Sequence, residues 1–290
     1  TEVDIGIVSS ILKFGVHMGV LGWITHVTLP LSIAFFVILR DPRLRFALAG
    51  AAAFSVFVLL AIQLRSTVIA ALAPALFLAL YLRTRFMWLV GGAMGVVVGA
   101  LIVSAIVPTW LEKFSSWSSP GAIIAEQTQR RDLWQAAIHI TQDHPVLGVG
   151  LRMFQDFLPQ YAENSGWLFT TEVQASGLHP HEVFLQYAVA GGVGALAALI
   201  GLHVVAFWTA WTTFKRLTDR RLQTLALALF WAFASMAASG TIGGTNFATA
   251  SWQGTPAGPA DVGMWFWLVV GLIFASSKLQ RAQPGPTHIE

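Results

Sequence analysis

Three arginines and two histidines stand out in an otherwise apolar chain. Arg65 lies in QLRST, directly after a long apolar run. Arg130 and Arg131 are adjacent in QTQRRDLW, and His179 and His181 flank Pro180 in LHPHEVFL, with Glu182 following. A guanidinium fork matches phosphate oxygens two at a time, whereas a lysine ammonium makes only a point-charge contact. A neutral imidazole is suited to taking a proton from a hydroxyl near pH 7. Together these groups fit a cationic pocket for an anionic lipid head group, a diphosphate above all, with a neutral histidine beside it as general base or hydrogen-bond donor. Arg130 lies one turn before Trp134 and shares its helix face, with Arg131 as the alternative inward-facing residue. Pro180 suits the first turn of a helix. His181 is then expected at a membrane–water boundary, where free backbone N–H groups attract anions and the helix dipole disfavours imidazolium. The bland counterparts are a snorkelling or salt-bridged arginine and an interfacial histidine that only caps. No metal site is expected: His179 and His181 do not share a helix face, and with Glu182 they lack a further ligand at recognisable spacing. The chain has no cysteine, which excludes disulfides and thiolate ligands.

The elements that must position these residues belong to a membrane. Of 290 residues, 56% are hydrophobic and only 11% charged, against about a quarter charged in soluble domains. About 20 apolar residues cross a hydrocarbon core, and candidate spans fall at 17–39, 46–63, 67–82, 86–107, 182–213, 222–243 and 263–277. The fold class is therefore an all-α polytopic membrane protein with about seven transmembrane helices and one large helical loop. Basic clusters lie at Arg40, Arg43 and Arg45, at Arg83 and Arg85, at Lys215, Arg216, Arg220 and Arg221, and at Lys278 and Arg281. If the spans alternate, all four share one side, which the positive-inside rule makes cytoplasmic. The net charge of +3 thus reports topology, and no nucleic-acid partner is expected. The chain divides into membrane helices in 1–107, an outer loop in 108–181, and membrane helices in 182–290 with a short outer loop at 244–262. Trp110, Trp117, Trp252, Trp265 and Trp267 fall near outer boundaries, as interfacial aromatics do. Residues 1–16 read equally as an interfacial stretch or the stump of an earlier span.

A connection as long as the outer loop is usually functional or disordered, and this one is not of low complexity. Residues 121–143 predict a helix with Ile123, Ile124, Trp134, Ala137, Ile138 and Thr141 near one side, ended by Asp143-His144-Pro145. Gly148 and Gly150 predict a turn back toward the membrane. A second short helix is expected over 151–161, with Phe154, Phe157, Leu158 and Tyr161 on one side. Residues 162–178 read as a mobile stretch able to contact substrate. In the fifth span, Ala190, Gly194 and Ala198, with Gly191 and Ala195 alongside, suggest close helix packing.

The ordered set QLRSTVIAAL, RRDLW, DHPVLGVGLRMF and HPHEVFLQYAVAGGVGAL resembles the O-antigen ligase and polymerase superfamily over roughly residues 45–245. The resemblance implies a bacterial inner-membrane glycosyltransferase with its site facing the periplasm. Its donor would be an undecaprenyl diphosphate-linked glycan and, in a ligase, its acceptor lipid A–core. The implied mechanism is inverting and metal-independent, with no cofactor. By position, Arg65 and Arg130, or Arg131 in its place, would hold the diphosphate, and His181 would activate the acceptor hydroxyl. His179, Glu182 and Trp134 would support them. Glu182 departs from the family's usual Asn, Ser or Gln after that histidine. The family's dozen or so spans also imply that earlier ones precede this chain. Independently, no carboxylate pair of glycosidase type is evident in the loop.

The alternatives are an O-antigen polymerase, a protein O-oligosaccharyltransferase, and a transporter of a lipid-linked anion. The lack of a large extension after the seventh span tilts the choice to the ligase. A transporter would want polar groups at mid-bilayer, often in repeated halves, and only Gln63, His26 and His203 offer themselves, with no evident internal repeat.

Overall fold

The computed structural model describes residues 18–62, 65–82, 120–151, 153–161, 180, 182–243 and 261–282, and every regular element among them is helical. In chain order these are α1 (Met18–Ile38), α2 (Pro42–Ile62), α3 (Arg65–Tyr81), α4 (Pro120–Asp143), α5 (Phe154–Tyr161), α6 (Val183–Arg216), α7 (Arg220–Gly243) and α8 (Asp261–Ala282). Six of them coincide with predicted spans. The predicted span 86–107 lies outside the described residues, as do the first 17 residues and 244–260. Three stretches, Pro42–Leu59, Val183–Arg216 and Arg220–Thr241, are long and apolar enough to cross a membrane. Ile24–Ile38, Val68–Leu78 and Trp267–Lys278 are shorter apolar helices.

The α7 helix lies at the centre of the bundle and packs on α1, α3, α6 and α8. Its Leu229, Ala232, Phe233 and Met236 form one core with Val27 of α1, Ala206 and Ala210 of α6, and Val269, Val270 and Ile273 of α8. Alanines at the contact let the helix axes approach closely. A second cluster joins Ala34, Leu78, Phe214, Leu217, Ala226, Leu227 and Ala228. It therefore gathers the C-terminal ends of α1, α3 and α6 with the N-terminal end of α7. At that end Asp41 accepts from the Arg43 amide at 2.8 Å and Asp219 from the Arg221 amide at 2.7 Å, capping α2 and α7 alike. The clusters around Arg43 and Arg220 thus share one end of the bundle, as the alternation of spans requires.

Mid-bundle polar groups are tied to a helix defect. Pro74 sits inside α3 and has no N–H to give the carbonyl of Ala70, four residues earlier. The Ser235 hydroxyl of α7 donates to that carbonyl at 2.6 Å. With its one proton spent there, the same hydroxyl can only accept from His26 Nδ1 of α1, 2.6 Å away. Nδ1 is therefore the protonated nitrogen. His203 of α6 likewise sets Nδ1 2.8 Å from the Leu199 carbonyl of its own helix. Both histidines that a transporter reading would recruit thus have structural partners; Gln63 lies outside the described residues.

Outside the bundle, α4, α5 and the first part of α6 enclose a separate small core. It comprises Leu133, Ala136, Ala137, Ile140, Phe154, Leu158 and Val189, with Val149, Phe157, Tyr161 and Leu185 packed against it. The expected side of α5 is the side observed. For α4 the expectation needs correcting: Trp134 is 37% and Ile138 43% exposed, while Leu133, Ala136, Ala137 and Ile140 are buried. The helix turns its small residues inward, which brings it close to α6, and leaves the bulkier Trp134 at the rim. The side chains of Ile123 and Ile124 lie outside the described residues.

Candidate active site

The site region rests on a break in α6. Gly191 and Gly192 leave helical geometry, Gly192 at φ 69° and ψ −163°, a conformation essentially open only to glycine. The freed backbone is taken up by the turn after α4. Val149 N–H donates to the Val189 carbonyl at 2.8 Å, Gly150 to Ala190 at 3.1 Å, and Val193 to Pro145 at 2.8 Å. Each side also needs a glycine for close approach. A Cβ on Gly148 would overlap the Val189 carbonyl oxygen, and one on Gly192 would overlap that of Val146. Gly148 and Gly150, at φ 62° and 98°, form the expected turn. The expected small-residue stripe is corrected. Among the described residues a Cβ on Gly194 would meet nothing within 4 Å, and the glycines that matter, 191 and 192, break the predicted span so that a loop can lock onto it.

This lock aligns two helices. α4 and the first segment of α6 each run N-to-C toward the same junction, and they pack on each other. Arg130 lies one turn before Leu133, and Glu182 one turn before Leu185; both leucines belong to the outer core. Arg130 and the start of α6 are therefore carried toward the same end of the packed pair. Arg130 is half-buried and Arg131 exposed. His181, between the described Pro180 and Glu182, lies outside the described residues, as does His179. Arg65 opens α3, but its side chain is outside the described set.

The start of α6 differs from expectation in one chemical respect. Pro180 and His181 precede the helix, and Glu182 is its N-cap, with the carboxylate accepting from the Leu185 N–H at 2.7 Å. The chain's own carboxylate thus occupies the place where an anion would meet the helix dipole. Glu182 is buried, and burial pushes its carboxyl above the usual range against the pull of the Leu185 and Phe184 N–H groups. At the other end of α4, Tyr161 donates to Asp143 at 2.7 Å and pins α5 alongside.

The Gly148–Gly192 interlock escaped the sequence reading. Its visible signal was the Gly-Gly pair inside an apolar run, read as packing and not as a break. Among the described residues no group of three or more His, Asp or Glu is placed to hold a metal.

No curated protein matches the chain. The sequence profile of the family described as O-antigen ligase matches residues 49–200, slightly more than half of the chain and a stretch that includes α3, α4, α5 and the break in α6. On this extent of match, the chain belongs to the O-antigen ligase family.

Proposed function

We propose that the chain transfers O-antigen glycan from undecaprenyl diphosphate to lipid A–core on the periplasmic face of the bacterial inner membrane, with inversion and without a metal. Family membership supports an enzyme of glycosyltransferase type acting in lipopolysaccharide assembly, with lipid-linked glycan and lipid A–core as its general substrates. The observation that carries the finer reading is the shared junction of α4 and α6, which bears half-buried Arg130 toward the end of the pair where His181 precedes α6.

In this reading the acceptor hydroxyl oxygen attacks the anomeric carbon of the donor sugar. Its proton passes to neutral His181, and the bond from the anomeric carbon to the diphosphate oxygen breaks with its electron pair. The negative charge that develops on the leaving diphosphate is met by Arg130, with Arg65 and exposed Arg131 as further phosphate contacts. Fixed cationic donors aimed at developing charge typically lower the barrier by about 3–4 kcal/mol, and a positioned base adds about 10²–10⁴-fold in rate. Diphosphate is already a competent leaving group, so charge stabilisation and one base suffice. His179 and Trp134 support the pocket from its rim, and Glu182 orients the histidine next to it while capping α6.

The test is reconstitution of the purified full-length protein with undecaprenyl diphosphate-linked glycan in EDTA, with and without lipid A–core. Glycan appearing on lipid A–core supports the ligase. Longer lipid-linked glycan in the absence of that acceptor would make the chain a polymerase, and no product from folded protein would return the transporter reading.

A further inference from the structure

The turn that locks onto α6 carries apolar side chains that no described residue covers. Val146 is 76%, Leu147 81% and Leu151 52% exposed, within a run, PVLGVGL, that contains no charge. Most other exposed apolar residues lie on α2, α3, α6 and α8, where a bilayer accounts for them, while Trp134, Ile138 and Met153 of the outer region are only 37%, 43% and 38% exposed. These three lie outside any span, yet the backbone bonds from 145, 149 and 150 to 193, 189 and 190 fix their position against α6.

That position can be read along the helix. Below the break, α6 runs from Val193 to Lys215 and Arg216, roughly 36 Å at 1.5 Å per residue, against a hydrocarbon core of about 30 Å. With the basic pair at one head-group layer, the other boundary falls within about a turn or two of Val193. Val193, Ile200 and Val204 are 55%, 45% and 60% exposed and project within an arc of about 40° at 100° per residue. The lipid-facing stripe of α6 therefore begins at the residue whose amide bonds Pro145, and Val146 and Leu147 continue it beyond the helix.

We propose that Val146, Leu147 and Leu151 form an interfacial anchor that enters the boundary between head groups and acyl chains of the leaflet beside the loop. The anchor holds the outer core at a fixed height, so that the start of α6, about 12 Å beyond the break at eight residues of helix, faces the head-group layer. The inference rests on α6 spanning a bilayer and not on the transfer reaction.

These 290 residues contain no cysteine, so a single introduced one gives a direct test. Leu147→Cys in the full-length protein is labelled with an environment-sensitive fluorophore and reconstituted into vesicles of phosphatidylethanolamine and phosphatidylglycerol. Gln135→Cys, at an exposed polar position on α4, controls for partitioning of the label itself. The anchor predicts blue-shifted emission at 147, quenched by lipids carrying a nitroxide near the head group and protected from iodide, with water-like emission at 135. Iodide quenching at 147 equal to that at 135 would overturn it. So would a blue shift at 147 that fades as the protein is diluted in lipid, which would make the cover a second copy of the chain.

Discussion

The outer core and the inner bundle both join helices around irregular backbone, and they repair it by different means. In the outer core the break at Gly191–Gly192 is met by main chain, through Val149 and Gly150 donating to Val189 and Ala190 and Val193 donating to Pro145. In the bundle the carbonyl freed by Pro74 is met by the Ser235 side chain, itself held by His26. Main-chain repair demands that two backbones touch, so it depends on glycines and fixes relative position tightly. Side-chain repair depends on one hydroxyl and tolerates small helix movements. The region with the tighter constraint is the one that carries Arg130 and the start of α6, the part of the chain to which the proposed chemistry is assigned.

The largest effect is expected from the chemistry itself. His181→Ala should lower glycan transfer by about 10²–10⁴-fold while leaving donor binding and the unfolding temperature near those of the parent. Weakened donor binding with normal turnover of the bound fraction would remove the base role. Next comes the outer lock. Gly192→Val places a branched side chain in a glycine-only conformation, costing about 1–3 kcal/mol before its overlap with the Val146 carbonyl. Amide exchange at Val149 and Gly150 should accelerate and transfer should fall, while the bundle's protection pattern persists. Uniform loss of protection through α7 would instead mean that the two regions fold as one.

In the bundle, Ser235→Ala leaves the Ala70 carbonyl without its donor and His26 Nδ1 without its acceptor, at about 1–3 kcal/mol. Thermal unfolding in detergent should shift down, with the transfer rate per folded molecule unchanged. The smallest effect concerns Glu182, whose folded pKa is raised by burial. A carboxyl raised on folding contributes stability that is fully present below its unfolded value, near 4.5, and is lost as pH rises through the folded value. Glu182→Gln should flatten that part of the unfolding-temperature profile above pH 4.5; an unchanged profile would show that another group is responsible.

The sequence made the helices legible because apolar length and basic punctuation are local signals. It also made α5 legible, since Phe154, Phe157, Leu158 and Tyr161 keep helical spacing over eight residues. The buried face of α4 was misjudged because a sequence ranks Trp134 and Ile138 above Ala136 and Ala137 for burial, while close approach to α6 rewards the alanines. The Glu182 cap was hidden because glutamate is not among the favoured N-cap residues, and Pro180 drew the helix start two or three residues too early. The Gly148–Gly192 interlock joins positions far apart in the chain, and no local pattern announces which backbone a glycine will meet.

The most direct measurement is the initial rate of acceptor-dependent glycan transfer in EDTA by the parent protein, Arg130→Ala and Arg131→Ala. The two arginines are adjacent in sequence, and only the half-buried one lies on the side of α4 that is carried toward the start of α6. A loss of about 10²–10³-fold is expected for Arg130→Ala and less than about 5-fold for Arg131→Ala, whose exposed charge is largely screened. Equal losses, or the larger loss at Arg131, would contradict that expectation.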